Sequence, residues 1–291
     1  MKTIKLFAVL LPVWLFGGAV YAQWSFDMQQ DRHIASSFFA QVKAEEEGLM
    51  GAIIVKAALF FVHTPYVGHT LEVGDMEQLV VNLRELDCTT FMETCVALSR
   101  AVGKGTPDFD SYCRELQYIR YRGGVLDGYT SRLHYTSDWI FDNVGKGVVE
   151  DVTQQAGGRP LPLQLSFMSS HSDAYKHLKG RPDRVAYMQE VEKRINARDD
   201  YYYIPKQEIE KNRNHIRSGD LICFTTSMEG MDISHVGIAY WQEDVLTFIH
   251  ASSTAKKVVV NEESISEYCS GIKSNTGIMV LRCNEEGLHK E

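Results

Sequence analysis

The chain has 291 residues, with 38 Asp and Glu against 30 Lys and Arg and a formal charge of −8. Its 44% apolar, 11% aromatic and 23% charged residues lie far from the composition of chains too polar to offset the entropy of ordering, so a substantial core is expected. The acidic balance and the lack of a dense Lys/Arg cluster argue against a nucleic-acid binder, whose affinity rests on phosphate neutralisation.

Residues 1–22 read as a cleavable export signal. Lys2 and Lys5 precede an apolar run from Leu6 to Val20, and the small residue Ala22 precedes Gln23. Loss of these 22 residues, two of them lysine, leaves 269 residues at a net charge of −10. The residue after Ala22 is not cysteine, so no lipid anchor is expected, and the predicted location is the periplasm or the medium. The next apolar stretch, Leu49–Val62, is interrupted by Lys56 and is shorter than the roughly 20 residues that span a bilayer. It reads as a core helix, and a monomer without a stable membrane anchor is predicted.

From Ile34 to Val62 the apolar residues recur at helical spacing, with Glu45-Glu46-Glu47-Gly48 as a break between two helices. Thr64-Pro65-Tyr66-Val67-Gly68 stops the pattern. A further helix is predicted from Cys88 to Val102, after Asp87 and before Gly103 and Gly105. The segment 106–217 shows no sustained period except near Val185–Ile195 and is expected as an insertion of helices and long loops. After Gly219 come short β-prone runs at Leu221–Thr226, His235–Trp241, Val245–His250, Lys257–Val260 and Ile278–Leu281, separated by turn residues such as Glu243-Asp244. Helices first and strands later predict an α+β fold, helices packed on an antiparallel sheet, in a single domain over 23–291.

The six cysteines Cys88, Cys95, Cys113, Cys223, Cys269 and Cys283 have neither a CxxC pair nor zinc-like spacing. No metal or cofactor is predicted. Cys88 opens its helix, where orphan N–H groups and the helix dipole favour a thiolate, although a small buried core residue is the plainer reading of any one cysteine. A hairpin turning at Glu243-Asp244 would set His235, in Ser234-His235-Val236-Gly237-Ile238, beside His250, in His250-Ala251-Ser252-Ser253. One imidazole could then deprotonate the thiol while the other orients it. The 147 residues between Cys88 and His235 match the roughly 130–150 between nucleophile and base in papain-like proteases. His33, His171, His177 and His289 sit in polar context and are expected in solvent, whereas His63, His69, His134 and His215 stay open.

Five blocks in order carry a resemblance: Thr64-Pro65-Tyr66-Val67-Gly68, Leu86-Asp87-Cys88-Thr89-Thr90-Phe91, Gly219-Asp220-Leu221-Ile222, Ser234-His235-Val236-Gly237-Ile238 and His250-Ala251-Ser252-Ser253. They resemble the NlpC-type superfamily of papain-like cell-wall cysteine hydrolases. Asp87-Cys88-Thr89-Thr90-Phe91 and the run Asp127–Tyr135 are similar to its N-acetylmuramoyl-L-alanine amidase branch. The resemblance implies a papain-like fold with the nucleophile at a helix N-terminus, Cys88 as nucleophile, His235 as general base, His250 as the orienting third member and Tyr66 as an oxyanion donor. It implies peptidoglycan-derived muropeptides as substrate partners. A stem-peptide endopeptidase, a silent wall-binding protein and a lipid acyltransferase are the rivals. With Cys88 assigned to chemistry, five cysteines remain, and an odd number predicts a largely thiol protein.

Tyr129, Ser131, Arg132 and His134 are candidate substrate-binding residues, a mix suited to a sugar or a peptide carboxylate. Arg132 could grip a carboxylate in bidentate fashion or could pair structurally with Asp138. Tyr201-Tyr202-Tyr203-Ile204-Pro205 could line a groove or stack into the core.

Overall fold

The computed structural model describes residues 28–42 and 50–285; the export signal, the Glu45–Gly48 break and His289 lie outside the described residues. The elements in chain order are α1 (Met28–Gln41), α2 (Met50–Phe60), α3 (Cys88–Gly103), α4 (Phe109–Arg120), α5 (Thr136–Gly145), β1 (Val149–Asp151), β2 (Arg159–Pro160), α6 (Phe167–Ser170) and α7 (Pro182–Asn196). They continue with β3 (Tyr202–Pro205), α8 (Ile209–Asn212), β4 (Leu221–Thr226), β5 (Ile233–Gln242), β6 (Val245–Ser252), β7 (Lys257–Val260), α9 (Ile265–Gly271) and β8 (Asn275–Cys283).

The fold is α+β, with helices on an antiparallel sheet of order β2-β3-β8-β4-β5-β6-β7 and β1 paired to β8. The sequence reading differs in the middle segment: β1, β2 and β3 lie within 106–217, so this stretch builds one edge of the sheet. These strands are only two to four residues long and take their order from pairing with one another and with β8, which no local period reveals. Helix α9 also went unpredicted, although Ser264 and Glu267 form a capping box at its start.

The sheet is buried on both faces, which is why β4 and β8 read as continuous apolar runs rather than alternating ones. On one face Leu221, Cys223, Met279 and Leu281 join the core made with α2 and α3; on the other, Ile222, Phe224, Ile278 and Val280 join Ile209, Ile265 and Cys269 of α8 and α9. Helix α3 is sunk into the first core, with every residue from Thr90 to Gly103 buried. Its charged side chains are matched: Arg120 Nε lies 2.7 Å from Glu93 and Arg100 Nε 2.8 Å from Glu115, and the Thr94 and Tyr112 hydroxyls stand 3.4 Å apart. A buried charge without such a partner would cost several kcal/mol.

The loop between α2 and α3 reaches the sheet. Tyr66 bridges Leu86, and its N–H donates to the Lys256 carbonyl at 2.9 Å, so the loop is fastened beside the start of α3 and the turn before β7.

Candidate active site

Cys88 is the first residue of α3 and Asp87 its N-cap. Asp87 Oδ1 accepts the Thr90 N–H at 2.8 Å while Thr90 Oγ1 accepts the Asp87 N–H at 2.9 Å. This reciprocal cap satisfies two orphan donors and fixes the first turn, and with it the position of the half-buried thiol. Helix α3 packs on β5, and Cys88 lines the same cavity as Val236 and His235 of that strand.

Strands β5 and β6 are joined by the two-residue turn Glu243-Asp244, with Glu243 in the left-handed region at φ 51°. The hairpin brings His235 Nε2 to 2.7 Å from His250 Nδ1, the rings meeting edge-on at 84°. Gly237 makes this approach possible: a Cβ there would stand 2.7 Å from a Phe248 ring carbon and 3.2 Å from the His250 Cβ. The glycine of the Ser234–Ile238 block is therefore required by packing rather than by backbone conformation.

Burial drives both imidazoles toward the neutral form. His235 is lowered to about 3, with His250 as a second cause, and His250 to about 4, with the Asn261 side chain opposing. Burial, and after it the Asp87 carboxylate, pushes the Cys88 thiol up to about 11, opposed by the hydrogen bonds from Val236 and Thr89. The thiolate expected at the helix N-terminus is thus not the resting form. A helix dipole contributes about 0.3–2 kcal/mol. Loss of water around a buried group can move a pKa by about 3–5 units, each worth roughly 1.4 kcal/mol, so desolvation wins, and the N-cap carboxylate adds to it.

Cys88 and His235 line one cavity of about 200 Å³ together with His134, Asp232, Met168 and Tyr175. A second, of about 660 Å³, lies on the His250 side, and Ser234 and His235 belong to both. Tyr66 is close enough to the sulfur for Cys88, after burial, to raise its hydroxyl pKa, with Asp87 adding to the effect. Tyr268 does the same from the other side: it packs on His235, His250 and Phe248, and burial and Cys88 push its hydroxyl up to about 12. Sequence reasoning missed Tyr268, Asn261, Tyr175 and Asp232. Of these only Asp232 carried a usable signal, a carboxylate two residues ahead of the Ser234–Ile238 block.

The middle-segment candidates separate. His134 lines the cavity with Cys88, and its Nε2 is 2.9 Å from the Tyr129 carbonyl oxygen. Ser131 is a turn residue, its hydroxyl donating to the Gly128 carbonyl at 2.7 Å and accepting the Asp127 N–H at 2.9 Å. Tyr129 is buried between the His134 and His177 rings. Arg132 is buried and does not pair with Asp138. It pairs with Glu72 at 2.7 Å and Glu77 at 3.1 Å, while Asp138 pairs with Arg122 at 2.7 Å and Arg198 at 3.5 Å. Glu72 and Glu77 come from the loop before α3, so the true partners stand roughly sixty residues away in sequence, beyond any local pattern. His177, expected in solvent, is 4% exposed because Tyr129 stacks on it and Glu72 faces it.

His33 and His171 are exposed as expected, and His63, His69 and His215 are exposed too. Tyr201 is core, bonded to the Ser137 carbonyl, and Tyr202–Pro205 are β3. All six cysteines are unpaired thiols. No helix among the described residues is long and apolar enough to cross a membrane.

Comparison with known proteins places the chain in a family. A structure of an N-acetylmuramoyl-L-alanine amidase from Bacteroides uniformis is similar at 38% identity and TM-score 0.77, over 81% of this chain and 99% of that one. A Bacteroides fragilis structure provisionally named a xylanase is similar at 44% identity and TM-score 0.74, over 78% and 98%. A Legionella pneumophila protein of the DUF1460 family shares the fold at 21% identity and TM-score 0.65, over 88% and 95%. No curated protein matches the chain. Residues 56–278 match the AmiA-like profile, and the chain belongs to the N-acetylmuramoyl-L-alanine amidase-like family.

Proposed function

We propose that the protein is an exported cysteine amidase, built on a papain-like NlpC-type fold, that hydrolyses the amide between the lactyl group of N-acetylmuramic acid and L-alanine in peptidoglycan fragments. The observation that carries the reading is the 2.7 Å contact between His235 Nε2 and His250 Nδ1 in a site where a helix-opening cysteine lines the same cavity as His235. His235 Nε2–H donates to His250 Nδ1, which leaves His235 Nδ1 bare to take a proton.

As the Cys88 proton passes to His235 Nδ1, the sulfur attacks the lactyl carbonyl. Negative charge develops on the carbonyl oxygen, where the Cys88 N–H, an orphan donor of α3, and the Tyr66 hydroxyl can bind it. The imidazolium returns its proton to the alanine nitrogen, the C–N bond breaks and a muramoyl thioester remains. A water deprotonated by His235 attacks the thioester, releasing the sugar acid and restoring the thiol. His250 holds the imidazole in the tautomer that each step needs.

A xylanase would need two carboxylates flanking the glycosidic bond. The cavity beside Cys88 offers one, Asp232, whose oxygens already accept the Ser137 and Ile233 N–H groups at 2.7 and 2.8 Å. The rival within the same chemistry is cleavage between D-glutamate and the diamino acid of the stem peptide.

The test is incubation of the purified protein with defined muropeptides and measurement of product masses. Free muramyl sugar and an intact L-alanine-initiated peptide are expected; a dipeptide left on the sugar would replace the amidase by the endopeptidase. Cys88→Ala should lose about 10²–10⁴-fold or more in kcat, and a fully active variant would end the cysteine mechanism. His250→Ala should lower turnover with the fold intact, and unchanged turnover would remove it from the mechanism. Export rests on the Lys2–Ala22 segment; amino-terminal sequencing of the mature protein should read Gln23 first.

A further inference from the structure

The cavity beside Cys88 has a one-sided polarity. Among the described residues no Lys or Arg lines it; besides the Cys88–His235 pair its one carboxylate is Asp232 and its one further imidazole His134, set among the hydroxyl residues Thr89, Tyr135, Thr136, Tyr175 and Ser234. Asp232 is 6% exposed and is held by the backbone: Oδ2 accepts the Ser137 N–H at 2.7 Å and Oδ1 the Ile233 N–H at 2.8 Å. Each carboxylate oxygen has a further lone pair, so the group can still accept. His134 Nε2 must carry its proton, because the atom 2.9 Å away is the Tyr129 carbonyl oxygen, which can only accept. In a neutral ring that leaves Nδ1 bare, and burial, aided by the Arg132 charge, keeps the ring neutral. Arg132, the cation that could have answered an anionic ligand, is turned away and paired with Glu72 and Glu77.

We infer that this cavity is a subsite for an uncharged, donor-rich part of the substrate, in which Asp232 and His134 accept hydrogen bonds from amide N–H and hydroxyl groups next to the scissile carbonyl, and from which a carboxylate is excluded. The inference rests on the amidase reading of the site and narrows it. On that reading the occupant is the acetamido- and hydroxyl-bearing sugar on the acyl side. A D-glutamyl residue, whose free α-carboxylate stands close to the carbonyl that an endopeptidase attacks, would bring negative charge against Asp232 with no cation lining the cavity to balance it. Its rejection is electrostatic as well as steric, since burying an unpaired charge beside a like charge costs far more than losing one hydrogen bond.

The experiment is calorimetric binding to the Cys88→Ala protein of two end-blocked probes, the uncharged N-acetylmuramoyl-L-alanine amide and N-acetyl-L-alanyl-γ-D-glutamyl-L-alanine amide, whose only charge is the glutamyl α-carboxylate, repeated with Asp232→Asn and with His134→Gln added. The neutral probe should bind at least about tenfold tighter than the anionic one, and each added substitution should cut that preference by about tenfold, the worth of one hydrogen bond to a charged or buried acceptor. Asp232→Asn turns one backbone-bound oxygen into a donor, so melting temperature is measured alongside, and His134→Gln gives an independent readout if the first variant is destabilised. Equal binding of the two probes, or a preference that neither folded variant moves, overturns the subsite. Turnover of N-acetylmuramoyl-L-alanine by the protein with Cys88 intact is scored separately. Discrimination without turnover upholds the subsite and ends the amidase reading; turnover with unmoved discrimination does the reverse.

Discussion

At Cys88 three local influences compete, and their magnitudes order them. Burial favours the neutral thiol, the Asp87 charge reinforces it, and the N–H groups of Val236 and Thr89 oppose both without reversing them. The proton therefore leaves the sulfur during attack rather than beforehand. At pH 7 the intact protein should react with iodoacetamide at Cys88 at least about tenfold more slowly than a free cysteine does, because only the thiolate reacts; a rate equal to or above that of a free thiol would mean a preformed ion pair. The imidazoles give a second check. With His235 at about 3 and His250 at about 4, kcat/KM should stay level as pH falls from 8 to 5 and should drop only near pH 4. An acid limb at 6 to 7, where an ordinary imidazole titrates, would contradict this. Cys88, His235 and His250 were legible in the sequence because each stands in a short block whose strand or helix boundary is local. The fate of Arg132 was not, since its carboxylates arrive from a loop that only the folded chain brings near.

On the scale of the element, the start of α3 does two jobs that pull against each other. Asp87 caps the helix through Thr90 and at the same time raises the nucleophile's pKa. Asparagine caps about as well as aspartate but carries no charge, which separates the two roles. Asp87→Asn should therefore keep the melting temperature close to that of the parent protein while Cys88 alkylates faster. Asp87→Ala should also speed alkylation but lose about 1 kcal/mol of stability with the cap. If Asp87→Asn leaves the alkylation rate unchanged, the carboxylate has no hold on the thiol. The same scale shows where sequence reading stops. Strands β4 to β8 announce themselves because each is an apolar run bounded by turn residues, and α3 because a cap precedes an apolar stripe. Strands β1, β2 and β3 are too short to show a period, and Arg159-Pro160 is exposed on both residues, so nothing but the partner strand makes it a strand.

For the molecule as a whole, the titratable groups that folding buries decide how it meets acid. His235, His250 and His134 all have folded pKa values below that of a free imidazole, chiefly through burial. In each case the unfolded chain binds a proton near pH 6.5 that the folded chain refuses until lower pH, so the stabilisation is complete above about 6.5 and is lost as pH falls toward the folded values. Three carboxyls act in the opposite sense. Asp232, Glu77 and Asp151 are raised by burial, so the folded state takes up their protons first and gains stability as pH falls through the carboxylate range. The histidine contribution begins to be lost as pH falls below about 6.5, and the urea midpoint should fall from there; the carboxyls, each raised, flatten the decline as the folded state takes up their protons. Replacing one member of the pair separates the contributions. His250→Asn removes a titrating group while keeping a side chain able to accept a hydrogen bond from His235, so its urea midpoint should change less between pH 7 and 5 than that of the parent protein. An equally steep fall in the variant would show that the imidazole pair does not govern acid stability, and a flat profile in the parent would show that the two rings titrate in the folded state as they do in the unfolded chain.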